Sequence, residues 1–309
     1  MLSNFITVGQ QVLILFILIF VGFFSRKLHL IKKGAVKGMT NLVLYFVTPC
    51  VMVHAFQDAK FSYDMLTKLL ITTLAGFAVH IGSIVVATAI FREKDISRRI
   101  ILKFSTVFSN CGFMSLPLQE ALLGSEGVFY GSIFVAVFNI VSWTYGLVIM
   151  SGNIRSISAK KLATNPGILG VVAAIILWVL NIHLPEIISE PIGYLAALNT
   201  PLPMIIIGCH LATADLKSAL TDKWSYVSIS LRMVLIPICT MFLLYLCGIK
   251  GSMLIAIVIA SSAPTAATTT MFATTYDREV SLSVSLVSLT TLISLFTMPI
   301  IVAFSQTFA

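Results

Sequence analysis

The sequence predicts an all-α integral membrane protein: ten transmembrane helices in two inverted five-helix repeats, with crossed, broken helices at spans four and nine. Three observations predict it. The 309-residue chain is 58% hydrophobic and only 10% charged, whereas a soluble domain carries roughly 25% charged residues. Long apolar runs recur along its whole length. Segments 152 residues apart echo one another. This composition excludes a soluble enzyme, a disordered chain and a secreted disulfide scaffold, and the length of the runs indicates helices rather than a barrel.

A helix needs about 20 apolar residues to cross a ~30 Å hydrocarbon core. On that basis the spans are 5–25, 39–57, 65–90, 99–122, 127–150, 166–183, 191–213, 224–247, 251–275 and 280–304. The first has no basic segment before it, and Arg26 and Lys27 follow it, so it is expected to be retained rather than cleaved as a signal. Cys50, Cys111, Cys209, Cys239 and Cys247 all fall in apolar segments. They are expected as small buried hydrophobes, not as a disulfide or zinc framework.

The loops after the odd-numbered spans hold most of the positive charge. They carry Arg26, Lys27, Lys32, Lys33 and Lys37; then Arg92, Lys94, Arg98, Arg99 and Lys103; then Arg155, Lys160 and Lys161; then Lys217 and Lys223; and finally Arg278. The other side has only Lys60, Lys68 and Lys250. The positive-inside rule therefore places both termini outside a plasma membrane, and it explains the net charge of +8 without a nucleic-acid partner.

Thr48-Pro49-Cys50-Val51-Met52 is echoed by Thr200-Pro201-Leu202-Pro203-Met204, an offset of 152. The same offset carries Asn110-Cys111-Gly112 onto Ser262-Ala263-Pro264, and Glu126-Gly127-Val128 onto Arg278-Glu279-Val280. The halves are 1–152 and 166–309, joined by a cytoplasmic linker at 153–165. Five spans is an odd number, so the halves enter the membrane in opposite senses, the plan of many secondary transporters.

Span four holds Asn110, Cys111, Gly112, Ser115 and Pro117 near its middle, and span nine holds Ser261, Ser262, Pro264 and Thr265. Pro removes a backbone donor and clashes with the preceding turn. Backbone groups freed at membrane depth are tolerated only against protein or a wet cavity. Interrupted spans at matching positions of two halves point to a transporter binding site; a pair of ordinary proline kinks is the alternative, and the symmetric placement with small polar neighbours favours the site. Half-helix N-termini aimed at that site suit an anion such as a carboxylate.

Arg232 and His80 lie deep inside spans. Arg232 is nine residues past Lys223 in span eight, roughly 13 Å along a helix and near the bilayer midplane. Two roles are open to it. It pairs with an anionic substrate, or it snorkels or bonds carbonyls freed by the broken helices. His80, in span three, is its repeat-equivalent; it is a candidate proton carrier or a hydrogen-bonded structural residue. His54 in span two and Asn139 in span five are further candidates, although a mid-membrane Asn often joins helices.

These residues together resemble the auxin efflux carrier family. The resemblance rests on the TPxxM segment, on N-C-G-F-M-S-L-P-L in span four and on S-A-P-T-A in span nine, and it covers nearly the whole chain. The short linker is similar to that of the bacterial branch of malate and malonate carriers. The resemblance implies a fold similar to sodium/proton antiporters and bile-acid symporters. It further implies a scaffold of spans one, two, six and seven, a transport domain of spans three to five and eight to ten, and a homodimer through the scaffold. It places substrate contacts at His54, Asn110 and Asn139. Plant members carry an acidic residue in span three where this chain has only His80, so a carboxylate-based proton coupling does not carry over.

The expected function is secondary, elevator-type transport of a small organic anion, with a proton or sodium as coupling ion and no cofactor or metal. A sodium-coupled symporter of amphipathic acids on the same fold is the alternative. A membrane enzyme would need a nucleophile–base pair or a metal cluster at span depth, and the sequence has no HExxH, GxSxG or paired Asp. A channel or sensor lacks a sequence feature in its favour.

Overall fold

A computed structural model of the chain describes residues 2–58, 62–156, 158, 160, 163–213, 217–220 and 222–308. Lys60 and Lys161, counted above among the loop charges, and part of the 153–165 linker lie outside the described residues. The helices are α1 (Leu2–Lys27), α2 (33–58), α3 (Tyr63–Ile90), α4 (Ile96–Val107), α5 (111–123), α6 (125–151) and α7 (Pro166–Val179). They continue with α8 (Glu186–Ala197), α9 (Pro201–Leu211), α10 (Lys223–Leu246), α11 (Gly251–Ser262), α12 (Thr268–Thr275) and α13 (Val280–Ser305).

The helices are amphipathic in the opposite sense to those of a soluble protein. On α3 the buried face carries Thr72, Gly76, His80, Ser83 and Ala87, while Leu70, Leu74, Ile81 and Val85 are exposed. On α13 the buried face carries Ser283, Ser288, Thr290, Thr291 and Ser294, while Leu292, Phe296, Ile300 and Phe304 point outward at four-residue steps. Apolar residues outside and hydroxyls inside is the pattern that a lipid solvent imposes. The chain is a multi-pass membrane protein.

Among the described residues, seven helical runs are long and apolar enough to cross a membrane, and Pro166–Val179 and Gly251–Ser262 are shorter apolar helices. One of the seven, Cys111–Ser151, is 41 residues long and is two helices back to back. Gly124, at φ 62° and ψ −154°, turns the chain where only glycine is unstrained. A Cβ on Gly127 would lie 2.8 Å from the Gln119 carbonyl oxygen, and one on Gly131 would lie 2.7 Å from Leu116. The two arms thus run antiparallel at glycine distance.

Among the described residues four helices contain a widened, π-helical turn, and three of these turns stand just ahead of a proline. Val43–Val47 precedes Pro49, Cys111–Ser115 precedes Pro117, and Leu231–Leu235 precedes Pro237. A proline ring collides with the carbonyl four residues back. Those carbonyls belong to Tyr45, Phe113 and Met233, the middle residue of each widened turn, so the extra residue makes room for the ring. A fourth widened turn, Ser142–Gly146, has no proline after it.

Packing ties the helices into one bundle. α1 lies on α9 and also on α13, and the second half of α2 lies on α7 and α8 and also on the α5–α6 arm. α11 lies against the α5–α6 arm, α10 and α13, with α3 and α4 packed around them. α1 and α9 are held at close backbone approach. A Cβ on Gly22 would lie 2.7 Å from Ile205 Cα, and one on Gly208 would lie 2.7 Å from the Phe23 backbone nitrogen. The Cys209 thiol donates to the Gly22 carbonyl at 3.4 Å.

The cysteines are all free, and their environments differ from the expectation in part. Cys111 and Cys209 are buried and Cys50 is partly so, but Cys239 and Cys247 are exposed. Both lie on the outward face of α10 and its end, where an apolar side chain meets lipid rather than protein.

Replacing Gly22 or Gly208 with Leu is expected to abolish monodisperse, folded protein. Gly9→Leu, at a site with open space around it, is expected to leave it intact. Size-exclusion chromatography of detergent-extracted protein checks both.

Candidate functional site

The two interrupted segments meet. α4 ends at Val107 and α11 ends at Ser262, and the chain beyond each runs extended. There Ser109 and Thr265 form an isolated antiparallel bridge. The Asn110 N–H donates to the Pro264 carbonyl at 2.7 Å, and the Ala266 N–H donates to the Phe108 carbonyl at 2.9 Å. The Thr265 N–H donates to Thr290 Oγ1 of α13 at 3.1 Å, and its hydroxyl donates to the Ser105 carbonyl at 3.1 Å. Each broken helix therefore supplies part of what the other lacks, which satisfies backbone groups that lipid cannot.

The C-terminal ends of the two half-helices share a cation. Arg232 is 1% exposed. Its Nη1 donates to the carbonyls of Thr106 and Val107 at 3.1 Å each, and its Nη2 donates to the Ser261 carbonyl. The last carbonyls of a helix have no partner within it and carry the negative end of its dipole. The planar guanidinium fork reaches both ends at once. Of the two roles open to Arg232 from sequence, the hydrogen bonds seen are those of carbonyl binding. Beside it, Thr106 Oγ1 and Ser228 Oγ are 2.8 Å apart.

The N-terminal ends lie on the other side of the bridge. Asn110 stands at the N-cap of the widened turn Cys111–Ser115 that begins α5, with no side-chain capping bond, and Thr268 opens α12. Asn110, Cys111 and Ser115 are buried, while Gly112 is partly exposed. The hydroxyls of Ser105, Ser115, Thr268 and Thr269 are buried without a protein partner. Ser261 and Ser262 donate back to their own helix, to the Val258 and Ile259 carbonyls at 3.0 Å each.

The remaining candidates are spread around this centre. His80 is 1% exposed and hydrogen-bonds the Gly76 carbonyl through Nδ1 at 2.7 Å, among the rings of Phe108, Phe134 and Phe138. Asn139 is partly buried, and its amide faces Gly167 at the start of α7 rather than the bridge. His54 is exposed and lines an open cavity of about 470 Å³ with Gln57, His183, Glu190 and Tyr194. A separate cavity of about 310 Å³ has Pro117, Leu118 and Glu120 of α5 on one wall. Gln11, Ile14 and Leu15 of α1 and Ala197 and Thr200 beside the α8–α9 break form the other wall. The pocket lies between α5, α1 and the α8–α9 break, and so reaches the broken helix. Among the described residues, no three His, Cys, Asp or Glu side chains gather as a metal site would need.

Gln119 belongs with these residues although the sequence reading passed over it. Fully buried, it donates from Nε2 to the Ala256 carbonyl of α11 at 2.7 Å, tying α5 to the other half of the crossing. The only signal was a single amide in the apolar stretch SLPLQEALL. The α8–α9 break at 198–200 was legible only as the TP pair of the repeat.

Removing the guanidinium leaves three buried carbonyls unpaired, at ~1–3 kcal/mol each. Arg232→Met is therefore expected to lower the melting temperature of the purified protein sharply. Arg232→Lys, which keeps the charge but not the fork, is expected to fall between, as read by thermal melts in detergent.

Comparison with known proteins finds a transporter family and two relatives. The model of the membrane transport protein family matches residues 7–157 and 152–302. An uncharacterized transporter of Methanocaldococcus jannaschii is 27% identical over 297 residues, 92% of this chain and 94% of its own length. An uncharacterized transporter of Methanothermobacter thermautotrophicus is 24% identical over 298 residues, 94% of this chain and 96% of its own. The likeness is to transporters and not to enzymes, and it runs the length of both partners. The chain belongs to the membrane transport protein family, that of the auxin efflux carriers.

Proposed function

We propose that the chain is a secondary active carrier of small organic anions, carboxylates such as malate or malonate, in the plasma membrane. The observation that carries this reading is the pairing of two broken helices at one bridge, with a buried Arg232 and no acidic partner described for it. A cation carrier would be expected to hold a carboxylate at that depth. An anion fits the N-terminal ends at Cys111 and Thr268 and the unpartnered hydroxyls of Ser115 and Thr268. Asn110, Cys111, Gly112, Ser115, Pro117 and Thr265 form the substrate side of the crossing in this reading. His54 and Asn139 act at its margins.

Ten spans in two inverted halves fit the helices, with α4–α5, α8–α9 and α11–α12 each counted as one interrupted span. The separate matches of one family to 7–157 and 152–302 support two related halves. Both termini then face outside. α1, α2 and α7 to α9 serve as the scaffold, and α3 to α6 and α10 to α13 move against it as an elevator. The packing of α1 on α9, and of the second half of α2 on α7 and α8, supports this scaffold, and the pocket between α5 and these helices is where substrate enters. Homodimerisation through the scaffold completes the proposal.

Proteoliposomes test it. Uptake of labelled malate, malonate, lactate and indole acetate is to be measured under imposed proton, sodium and voltage gradients. Uptake of at least one carboxylate is expected, and Asn110→Ala and Pro117→Ala are expected to cut it severalfold at normal expression. No anion transport under any gradient would sink the reading.

A further inference from the structure

Unwound carbonyls and half-helix C-terminal ends are where broken-helix carriers coordinate a coupling cation. In this chain six of those groups already have partners. Thr106, Val107 and Ser261 accept from Arg232. The neighbouring carbonyls are engaged as well: Ser105 by the Thr265 hydroxyl, Phe108 by the Ala266 N–H and Pro264 by the Asn110 N–H. The ion pairs among the described residues are Lys68–Asp64 and Arg98–Asp222, and neither involves Arg232. A second cation brought to the crossing would meet a fixed positive charge and no carboxylate, in a site too dry to screen the repulsion.

We propose that the Arg232 guanidinium is a tethered cation in the place of a mobile one. The crossing then takes no sodium or other coupling cation. Removing the guanidinium uncovers a monovalent-cation site made by the carbonyls of Thr106, Val107 and Ser261. A planar guanidinium ion fits that site best, because those carbonyls already converge on one, and sodium follows as a smaller ligand for oxygen donors. The proposal rests on the carrier reading for its consequence in transport, namely uptake indifferent to sodium. Its binding consequence needs no substrate.

The experiment is cation-dependent thermal stability of the purified full chain at matched ionic strength. Sodium, potassium, choline and millimolar guanidinium are compared, since a ligand that binds only the folded state raises the melting temperature saturably. The wild type is expected to melt alike in sodium, potassium and choline, and to gain nothing from guanidinium. Arg232→Gln is expected to melt lower and to recover saturably with guanidinium, and less with sodium, but not with choline. Arg232→Ala, produced with guanidinium present throughout, is the second variant, and its recovery only under that condition supports the site.

A wild type stabilised by sodium over choline overturns the proposal. So do variants indifferent to every cation, or variants that guanidinium fails to rescue at all. Sodium-dependent uptake by the wild type would overturn it while leaving the carrier reading intact. Absence of all anion uptake would remove that reading without touching the binding result.

Discussion

Two helices that stop inside a membrane leave carbonyls and amides that lipid cannot satisfy, and the architecture is arranged around that constraint. A lone break would need water or a polar side chain at each end. Two breaks set across each other need far less, because the extended stretch of one supplies donors to the extended stretch of the other. What the bridge between Ser109 and Thr265 leaves over is a cluster of helix-end carbonyls, and Arg232 reaches three of them. α10 has to lie against both half-helices for its side chain to do so. α13 has to lie close enough for Thr290 to accept from the Thr265 N–H. The placement of α4, α10, α11 and α13 follows from how those groups are satisfied.

Prolines set the fine geometry. Pro117 and Pro237 each follow a widened turn, one leading into α5 and one carrying Arg232 itself. A widened turn shifts the register of everything beyond it, so the residues on either side of such a turn no longer share one helical stripe. Pro49 does the same on α2, where it meets Gly170 of α7 at glycine distance.

Much of this was legible in the sequence, and the reasons are physical. Helix positions follow from apolar run length, because the bilayer fixes the length needed. The breaks in spans four and nine follow from Pro, Gly and Asn grouped where apolar residues belong, and Arg232 stands out because a charge at that depth is costly. The direction of a side chain is less legible. Ser261 and Ser262 sit where a ligand contact was expected, yet their hydroxyls turn back to their own helix. Asn139 sits mid-span, yet it meets the start of α7. A proline announces a disturbance without saying whether the helix will kink, break or widen. Cys239 and Cys247 share an apolar setting with Cys111, and periodicity alone does not tell a face turned to lipid from one turned to protein.

The inward face of α13 has a mechanical side. Its hydroxyls are mostly committed to carbonyls of the same helix: Ser283 to Val280, Thr290 to Leu286, Thr291 to Val287 and Ser294 to Thr291. Such a surface is polar in composition but offers few donors to a neighbour. α1 packs against the same helix, and contacts of shape and dispersion fade gradually with displacement instead of breaking at one angle or distance. In the carrier proposed above, a helix whose hydroxyls are satisfied within itself would have few hydrogen bonds to exchange if its neighbour shifted.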